Sequence, residues 1–497
     1  MFTLRIPALK HFSLTLILAL ALALSACAGK GPTLGRTQSP DAPALHAQAK
    51  NLADDAHDEA SMQQAVAAYE KAVRAGSFEA ACELAELYLN GAAPVKPGKD
   101  ETAQQAADRA AFNLYLQAAK AGYAPAQYAT ARLYANERGV TRDMAEARAW
   151  LFKSAEAGYA DAQAKAGDAY KEGCGCGPDC DCGSSCCFGL DKDFAKAKYW
   201  YERLAASSDK SARSLGRDRL AALYEEGEDG KPDYAQAAKT YENAANEGDA
   251  NAQSELAFLY FRGRGVPRDY EKAINLHEDL LERYGEDMYG YNMAVLYYYA
   301  PAGPDQARRH KEAFRLFKRA ADSRSYVYAQ SALGECYENG VGVTRNYKEA
   351  AKWYGLAAEQ NFADAQFLLG ELYRRGLGVK RDYKEALRLF EAAAGQDLAW
   401  GQRGVAGAYY RGEGVTRDYS RALSLYTQAA EGGDQEAMYM LGQMYEQGQG
   451  GDKNLAAARK LYRKAADYPA SESHYWDPDK VAEYNAKART ALRRLGE

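Results

Sequence analysis

The sequence predicts an all-α protein, an array of about eleven two-helix units followed by a C-terminal capping helix. Three observations predict it. A short start recurs as Asn346-Tyr-Lys-Glu-Ala, Asp382-Tyr-Lys-Glu-Ala, Asp418-Tyr-Ser-Arg-Ala and Lys453-Asn454-Leu-Ala-Ala, with 346, 382, 418 and 454 each 36 apart. The same alignment reaches back through Arg309, Asp269, Asp233, Asp193, Asp143, Ala107 and Ser61. Tyrosine stands nine residues before the start at Tyr134, Tyr224, Tyr260, Tyr337, Tyr373, Tyr409 and Tyr445. Within each unit, apolar and small residues recur at helical spacing. One such helix pair cannot bury its apolar face alone, so neighbours must stack into a solenoid.

Composition excludes some function classes. The 497 residues are 47% hydrophobic and 26% charged, too hydrophobic for bulk disorder. Net charge is −5, and −7 without residues 1–26, whose charged groups are Arg5 and Lys10. A mildly acidic body argues against nucleic-acid binding, which needs a dominant basic surface. Tyrosine is abundant, 38 against 14 Phe and 5 Trp, as expected where one residue fills a repeated slot.

Taken in order, residues 1–26 read as an export signal. Arg5 and Lys10 precede an apolar run, Phe12 to Leu24, that ends in Leu24-Ser25-Ala26-Cys27. The run is too short to span a bilayer, which takes about 20 apolar residues. It resembles a bacterial lipoprotein signal peptide with its lipobox. The resemblance implies cleavage before Cys27 and lipidation of that thiol. Residue 28 is Ala and not Asp. In lipoproteins Asp there often retains the protein at the inner membrane, so the resemblance points to the outer membrane, facing the periplasm. Residues 27–58 read as a flexible tether rich in Gly, Pro, Ala, Gln and Asp.

Residues 59–468 hold the repeats. In Ala363–Arg375, Ala365, Leu368, Leu369, Leu372 and Tyr373 mark one helix face. Gly376-Leu-Gly378 ends that helix, because glycine takes left-handed geometry cheaply. Asp382 caps the next helix, and Glu385 completes a capping-box pattern that Asn346/Glu349 and Asp143/Glu146 repeat. Gly370 sits inside the first helix, with Gly334, Gly442 and Ala406 in the same slot, which suggests two backbones in close approach. Ten extra residues fall at 89–106, and fourteen in the cysteine segment. After Pro469, Asp477-Pro478 starts a last helix through Leu495, the capping segment 469–497.

Residues 363–386 resemble the Sel1-like repeat, a relative of the tetratricopeptide repeat, almost completely, and coverage is roughly residues 59–468. The resemblance implies a right-handed α/α superhelix that binds proteins and is not itself catalytic.

The insertion carries Cys174, Cys176, Cys180, Cys182, Cys186 and Cys187. Six thiols in an oxidising compartment favour disulfides, in fifteen possible pairings. Capture of a soft metal is the alternative, since thiolates on a Gly-rich loop can wrap one, and a redox role is a third. No cofactor is otherwise implied. Cys82 and Cys336 fall at helical positions and read as small core residues. The histidines form no HExxH, and G-x-S-x-G and phosphate-loop patterns are missing. His277 and His310 occupy aromatic slots, so packing is their expected role. The chain reads as no enzyme.

Binding is sought where copies differ. Relative to the marker Tyr, positions six before, two before and one after vary and share one helix face. They supply Phe258, Phe261, Tyr291, Tyr298, Phe367, Arg374, Arg403, Tyr410 and Tyr439, an expected aromatic-and-Arg partner groove. A second feature is a basic row, Arg268, Arg308, Arg345, Arg381, Arg417 and Lys453, one residue before each start. It could meet an anionic polysaccharide or lipid phosphate, or be absorbed by neighbouring Asp and Glu. The first reading is a lipid-anchored periplasmic adaptor whose partners are envelope proteins. The others are a binder of exported polysaccharide or peptidoglycan, and a metal- or redox-responsive adaptor.

Overall fold

In the computed structural model, residues 39–173, 188–468 and 478–496 are described, apart from 94, 96, 99, 100, 302 and 323–325. The signal segment, Cys27 and the six clustered cysteines lie outside the described residues. The described chain is helical in 23 segments. They are α1 (Ala42–Asp54), α2 (Glu59–Arg74), α3 (Phe78–Leu89), α4 (Ala103–Lys120), α5 (Ala124–Ala135), α6 (Met144–Glu156), α7 (Ala160–Glu172) and α8 (Phe194–Ala205). Then follow α9 (Lys210–Glu226), α10 (Tyr234–Asn246), α11 (Ala250–Arg262), α12 (Tyr270–Tyr284), α13 (Glu286–Tyr299), α14 (Gln306–Ala321), α15 (Val327–Asn339) and α16 (Tyr347–Glu359). The last are α17 (Ala363–Arg375), α18 (Tyr383–Ala394), α19 (Ala399–Arg411), α20 (Tyr419–Glu431), α21 (Gln435–Gln447), α22 (Leu455–Ala466) and α23 (Pro478–Arg494). No helix among the described residues is long and apolar enough to cross a membrane.

The helices form two units, residues 1–244 and 245–497. Within each unit the packing follows one rule. A first helix packs on its own second helix, and that second helix packs on the next first helix. In unit 2 this gives α11/α12 through α21/α22, with α23 packed on α22 and α21.

The repeat frame rests on four recurring contacts. The first is the turn. In the regular copies the amide of the start residue donates to the carbonyl of the tyrosine nine residues back: Asn346 to Tyr337 at 2.8 Å, Asp382 to Tyr373 at 3.0 Å, Asp418 to Tyr409 at 3.0 Å and Asn454 to Tyr445 at 2.8 Å. The second is the cap. The Asp382 carboxylate accepts from the amides of Lys384 and Glu385, both at 3.0 Å. The expected capping box is only half made. Glu385 turns outward to Arg388, at 2.8 and 2.5 Å, because a cation one turn on competes with its own N-cap amide. Both halves of a box occur at Asp58/Ser61 and Thr102/Gln105.

The third contact is a buried ring eight residues after the start, in every copy but the one at Asp143, where Leu151 takes its place. Tyr354, Phe390, Tyr426 and Tyr462 are at most 2% exposed, as are Tyr201, His277 and Phe317. These rings explain the small-residue slot. A β-carbon on Gly370 would stand 2.7 Å from the Phe390 ring, and one on Gly442 2.7 Å from the Tyr462 ring. The slot admits the next helix's ring first, and at Gly370 its backbone as well, the Ala386 carbonyl oxygen standing 3.3 Å from a β-carbon built there. Closer backbone approach occurs elsewhere, at Gly401, 2.6 Å from the Ala394 nitrogen.

The fourth contact joins repeats. The second glycine of each Gly-x-Gly turn lies on the preceding second helix. β-Carbons on Gly378, Gly414 and Gly450 would fall 2.2–2.3 Å from the carbonyl oxygens of Tyr347, Tyr383 and Tyr419. Their φ angles of 70°, 77° and 81° favour glycine independently.

Residues 42–54, read from composition as tether, form α1. His46 Nε2 lies 2.8 Å from Glu83 Oε2, and Tyr69 Oη donates to the same oxygen at 2.9 Å. Ala49 is fully buried beside them. Alanine and glutamine are as suited to a helix as to a linker, and tertiary contacts decide the outcome.

Candidate functional site

The variable face of the first helices was expected to be free of packing duties. In the structure it packs against the ring slot. Tyr354 Oη donates to Glu338 at 2.9 Å, and Tyr462 Oη to Glu446 at 2.8 Å. In unit 1, Tyr241 reaches Glu225 at 3.0 Å and Tyr201 reaches Asp168 at 2.7 Å. Glu338, Glu446 and Glu225 all stand one after the marker tyrosine. Where the ring is Phe317 or Phe390, with no hydroxyl to satisfy, the same position holds Tyr298 or Arg374. The variation is thus partly coupled to the opposite ring. A comparison of copies taking two positions together would have found it.

The nine face residues fall into three groups. Phe261 and Phe367 are buried, packing on Tyr270 and Phe390 with centroids 5.2 and 5.5 Å apart. Arg374 and Arg403 are held by carboxylates. Arg374 bonds Glu371 twice, at 2.9 and 2.8 Å. Arg403 meets Asp434 at 3.0 Å and Glu436 at 2.8 Å, and its guanidinium lies over the Phe367 ring at 5.1 Å.

Phe258, Tyr291, Tyr298, Tyr410 and Tyr439 form the third group and are partly exposed. Each leans on a framework ring: Phe258 on His277 at 5.4 Å, Tyr410 on Tyr419 at 5.3 Å, Tyr439 on Tyr462 at 5.7 Å. Tyr291 and Tyr298 share Phe317, at 5.7 and 6.2 Å, and Tyr291 continues to Tyr326 at 5.0 Å. Burial pushes the Tyr291 hydroxyl well above its ordinary range, with Tyr326 and Glu335 adding to it. The Tyr291 hydroxyl stays neutral and can donate or accept. Beside them Asp364 is pushed up to about 6 by burial, against a hydrogen bond from Trp400.

His277, expected to pack, does so in full burial, with Ser254 Oγ 3.2 Å from its Nε2. His310 sits in the turn slot, its carbonyl beneath Gly342. Cys82 and Cys336 are buried in their helices. Among the described residues no group of three His, Cys, Asp or Glu could hold a metal ion.

The basic row differs from the face. Arg268, Arg345, Arg381 and Arg417 are exposed and have no carboxylate partner among the described residues, whereas the exposed Lys453 acts on Glu446. The guanidiniums of Arg345, Arg381 and Arg417 lie over the tyrosine two residues on, at 5.6, 5.5 and 5.3 Å from its centroid. Their Cβ atoms cover the first turn glycine, 3.0–3.3 Å from a β-carbon built there. Neighbouring acids do not absorb this row. Asp382 and Asp418 spend a carboxylate oxygen on helix amides instead.

Comparison with known proteins agrees with this geometry. The Sel1 repeat matches in ten segments, from 78–123 to 435–467, including 327–362 and 363–398. The α1/α2 pair lies outside those segments but is paired in the same way. Chitin synthase regulatory factor 3 of Schizosaccharomyces pombe is 30% identical over 185 residues, 35% of this chain and 19% of that protein. The Sel1-repeat-containing protein YjcO of Escherichia coli K12 is 29% identical over 163 residues, 32% of this chain and 61% of that protein. The chain thus spans about a fifth of the first relative and three-fifths of the second. The crystal structure of c5321, a protective antigen of uropathogenic Escherichia coli displaying an SLR fold, superposes with a TM-score of 0.52 and 25% identity, covering 90% of this chain and 88% of that one.

Proposed function

Because the chain belongs to the Sel1 repeat family, we propose that it is a non-catalytic scaffold binding a partner protein along the first helices of unit 2. One observation carries this reading: the partly exposed rings of Phe258, Tyr291, Tyr298, Tyr410 and Tyr439, each seated on a framework ring. Rings already fixed by packing lose little freedom when a partner covers them, and Tyr is enriched among residues that dominate interface energy. The fission yeast relative is named as a regulator of another enzyme, which suits action through a partner.

The envelope address rests on residues 1–27 and belongs to the same proposal. Lipid on Cys27 would hold the scaffold at the outer membrane, and the segment before α1 would give it reach. Metabolic labelling with palmitate tests the anchor; label retained after Cys27→Ser would sink it. The binding face is tested by crosslinking and capture from intact envelopes with Tyr291, Tyr410 and Tyr439 changed together to Ala. A stoichiometric protein partner should disappear while the melting curve keeps one folded transition. Unchanged capture would overturn the reading.

A further inference from the structure

The turn edge of unit 2 carries a surface that the scaffold reading does not use. Arg345, Arg381 and Arg417 stand at identical turn positions, and Lys453 extends the series. Their relative placement is fixed by backbone. Gly378 rests on the Tyr347 carbonyl, Gly414 on Tyr383 and Gly450 on Tyr419. Each Arg–Tyr pair is therefore tied to the next turn through a glycine with no room for a side chain. The cations therefore recur once per 36-residue repeat.

Each guanidinium is also oriented. Its stem covers a glycine and its guanidinium carbon lies 5.3–5.6 Å from a tyrosine centroid, with the side chain exposed. Arginine in that state presents a fork matched to a carboxylate or phosphate. With no acidic partner for its arginines among the described residues, the row keeps its charge in a chain whose net charge is −5.

We propose that this edge is a receptor strip for a linear acidic polysaccharide, a polyuronate. The row recurs at one fixed interval, so it fits a chain with recurring charge. It repeats one cation per turn, so it suits a homopolymer that presents a carboxylate on every sugar and satisfies the row in any register. An acidic polypeptide satisfies the row only where its acids recur in step with the repeat. A membrane surface fits less well. Membrane-surface binding combines basic groups with apolar anchors, and the exposed large apolar residues, Tyr199, Tyr284, Met288 and Leu356, lie off these turns.

The full chain is titrated with polygalacturonate, and in parallel with neutral dextran, poly-L-glutamate and phosphatidylglycerol vesicles. The expected result is salt-sensitive binding of polygalacturonate alone. Changing Arg345, Arg381 and Arg417 together to Ala should weaken it at least tenfold, and Lys at all three should restore most of it. The melting temperature of each variant separates lost binding from lost folding. Equal binding by the Ala variant, preference for polyglutamate or the vesicles, or no binding by the parent chain would each overturn the proposal. Capture of the protein partner reads a different face and need not change with it.

Discussion

The ring of Tyr354 occupies the space that a β-carbon on Gly334 would need, 2.6 Å from two ring carbons. Its hydroxyl then reaches Glu338 on the same first helix, at 2.9 Å. One side chain thus locks α15 to α16 through shape and hydrogen bonding together. Twenty residues separate the pair, as they separate Gly370 from Phe390 and Gly442 from Tyr462.

Gly334→Ala should therefore destabilise unit 2 even though alanine favours helices by about 1 kcal/mol over glycine. Overpacking typically costs about 1–3 kcal/mol, and a lowered urea midpoint is expected. Gly355 provides the contrast. It lies in α16 with nothing within 4 Å of its β-carbon position. Gly355→Ala should raise the midpoint, through a stability gain of about 0.5–1 kcal/mol.

His277 fills the ring slot that Tyr or Phe fills elsewhere. Burial pushes its imidazole down to about 4 from 6.5. Between those values the unfolded chain binds a proton that the folded chain refuses. Stability is therefore complete above about pH 6.5 and falls as pH drops, with the loss full below about 4. The shift corresponds to about 3 kcal/mol in all. His277→Phe should remove this part of the acid sensitivity, read as a smaller fall in urea midpoint between pH 7.5 and pH 4.5.

Asp434 is fully buried at its side chain and does two jobs. One oxygen caps α21 through the Ala437 amide at 2.6 Å, and the other holds Arg403 at 3.0 Å. Asp434→Ala removes the cap and one of the two carboxylates that hold a mostly buried cation, Glu436 remaining, a loss of about 2 kcal/mol. Asp434→Asn should recover part of it. Arg403→Ala should also lower the melting temperature, which marks Arg403 as a framework residue and not a free contact.

The N-terminal pair depends on Glu83. Against the pull of burial, hydrogen bonds from His46 and Tyr69 hold its carboxyl below the usual carboxylate range. His46→Ala should loosen α1 without unfolding the rest. Trypsin cleavage after Lys50, slow in the parent, should then accelerate. Fast cleavage there in the parent would instead restore the tether reading.

Much of the frame was legible because it is local and repeated. The nine-residue interval between Tyr373 and Asp382 is one turn closed by a hydrogen bond, so it survives in copy after copy. Helix bounds such as Ala363–Arg375 follow from apolar spacing and a terminal glycine. The binding face was harder. Varying positions were read one at a time, while Glu338 and Glu446 answer to Tyr354 and Tyr462 on another helix. The Arg row was visible as spacing, but its lack of acidic partners was not.

By itself the sequence determined the all-α repeat architecture, the period, the caps and the turns, since each depends on residues close along the chain. Only the tertiary structure decided that residues 42–54 are a helix, that Gly334 faces a ring, that Arg403 is tied down and that Arg381 is not. Those outcomes depend on which side chains meet across 20 to 40 residues. Burial and competition among partners settle such meetings, and neither is written in local spacing.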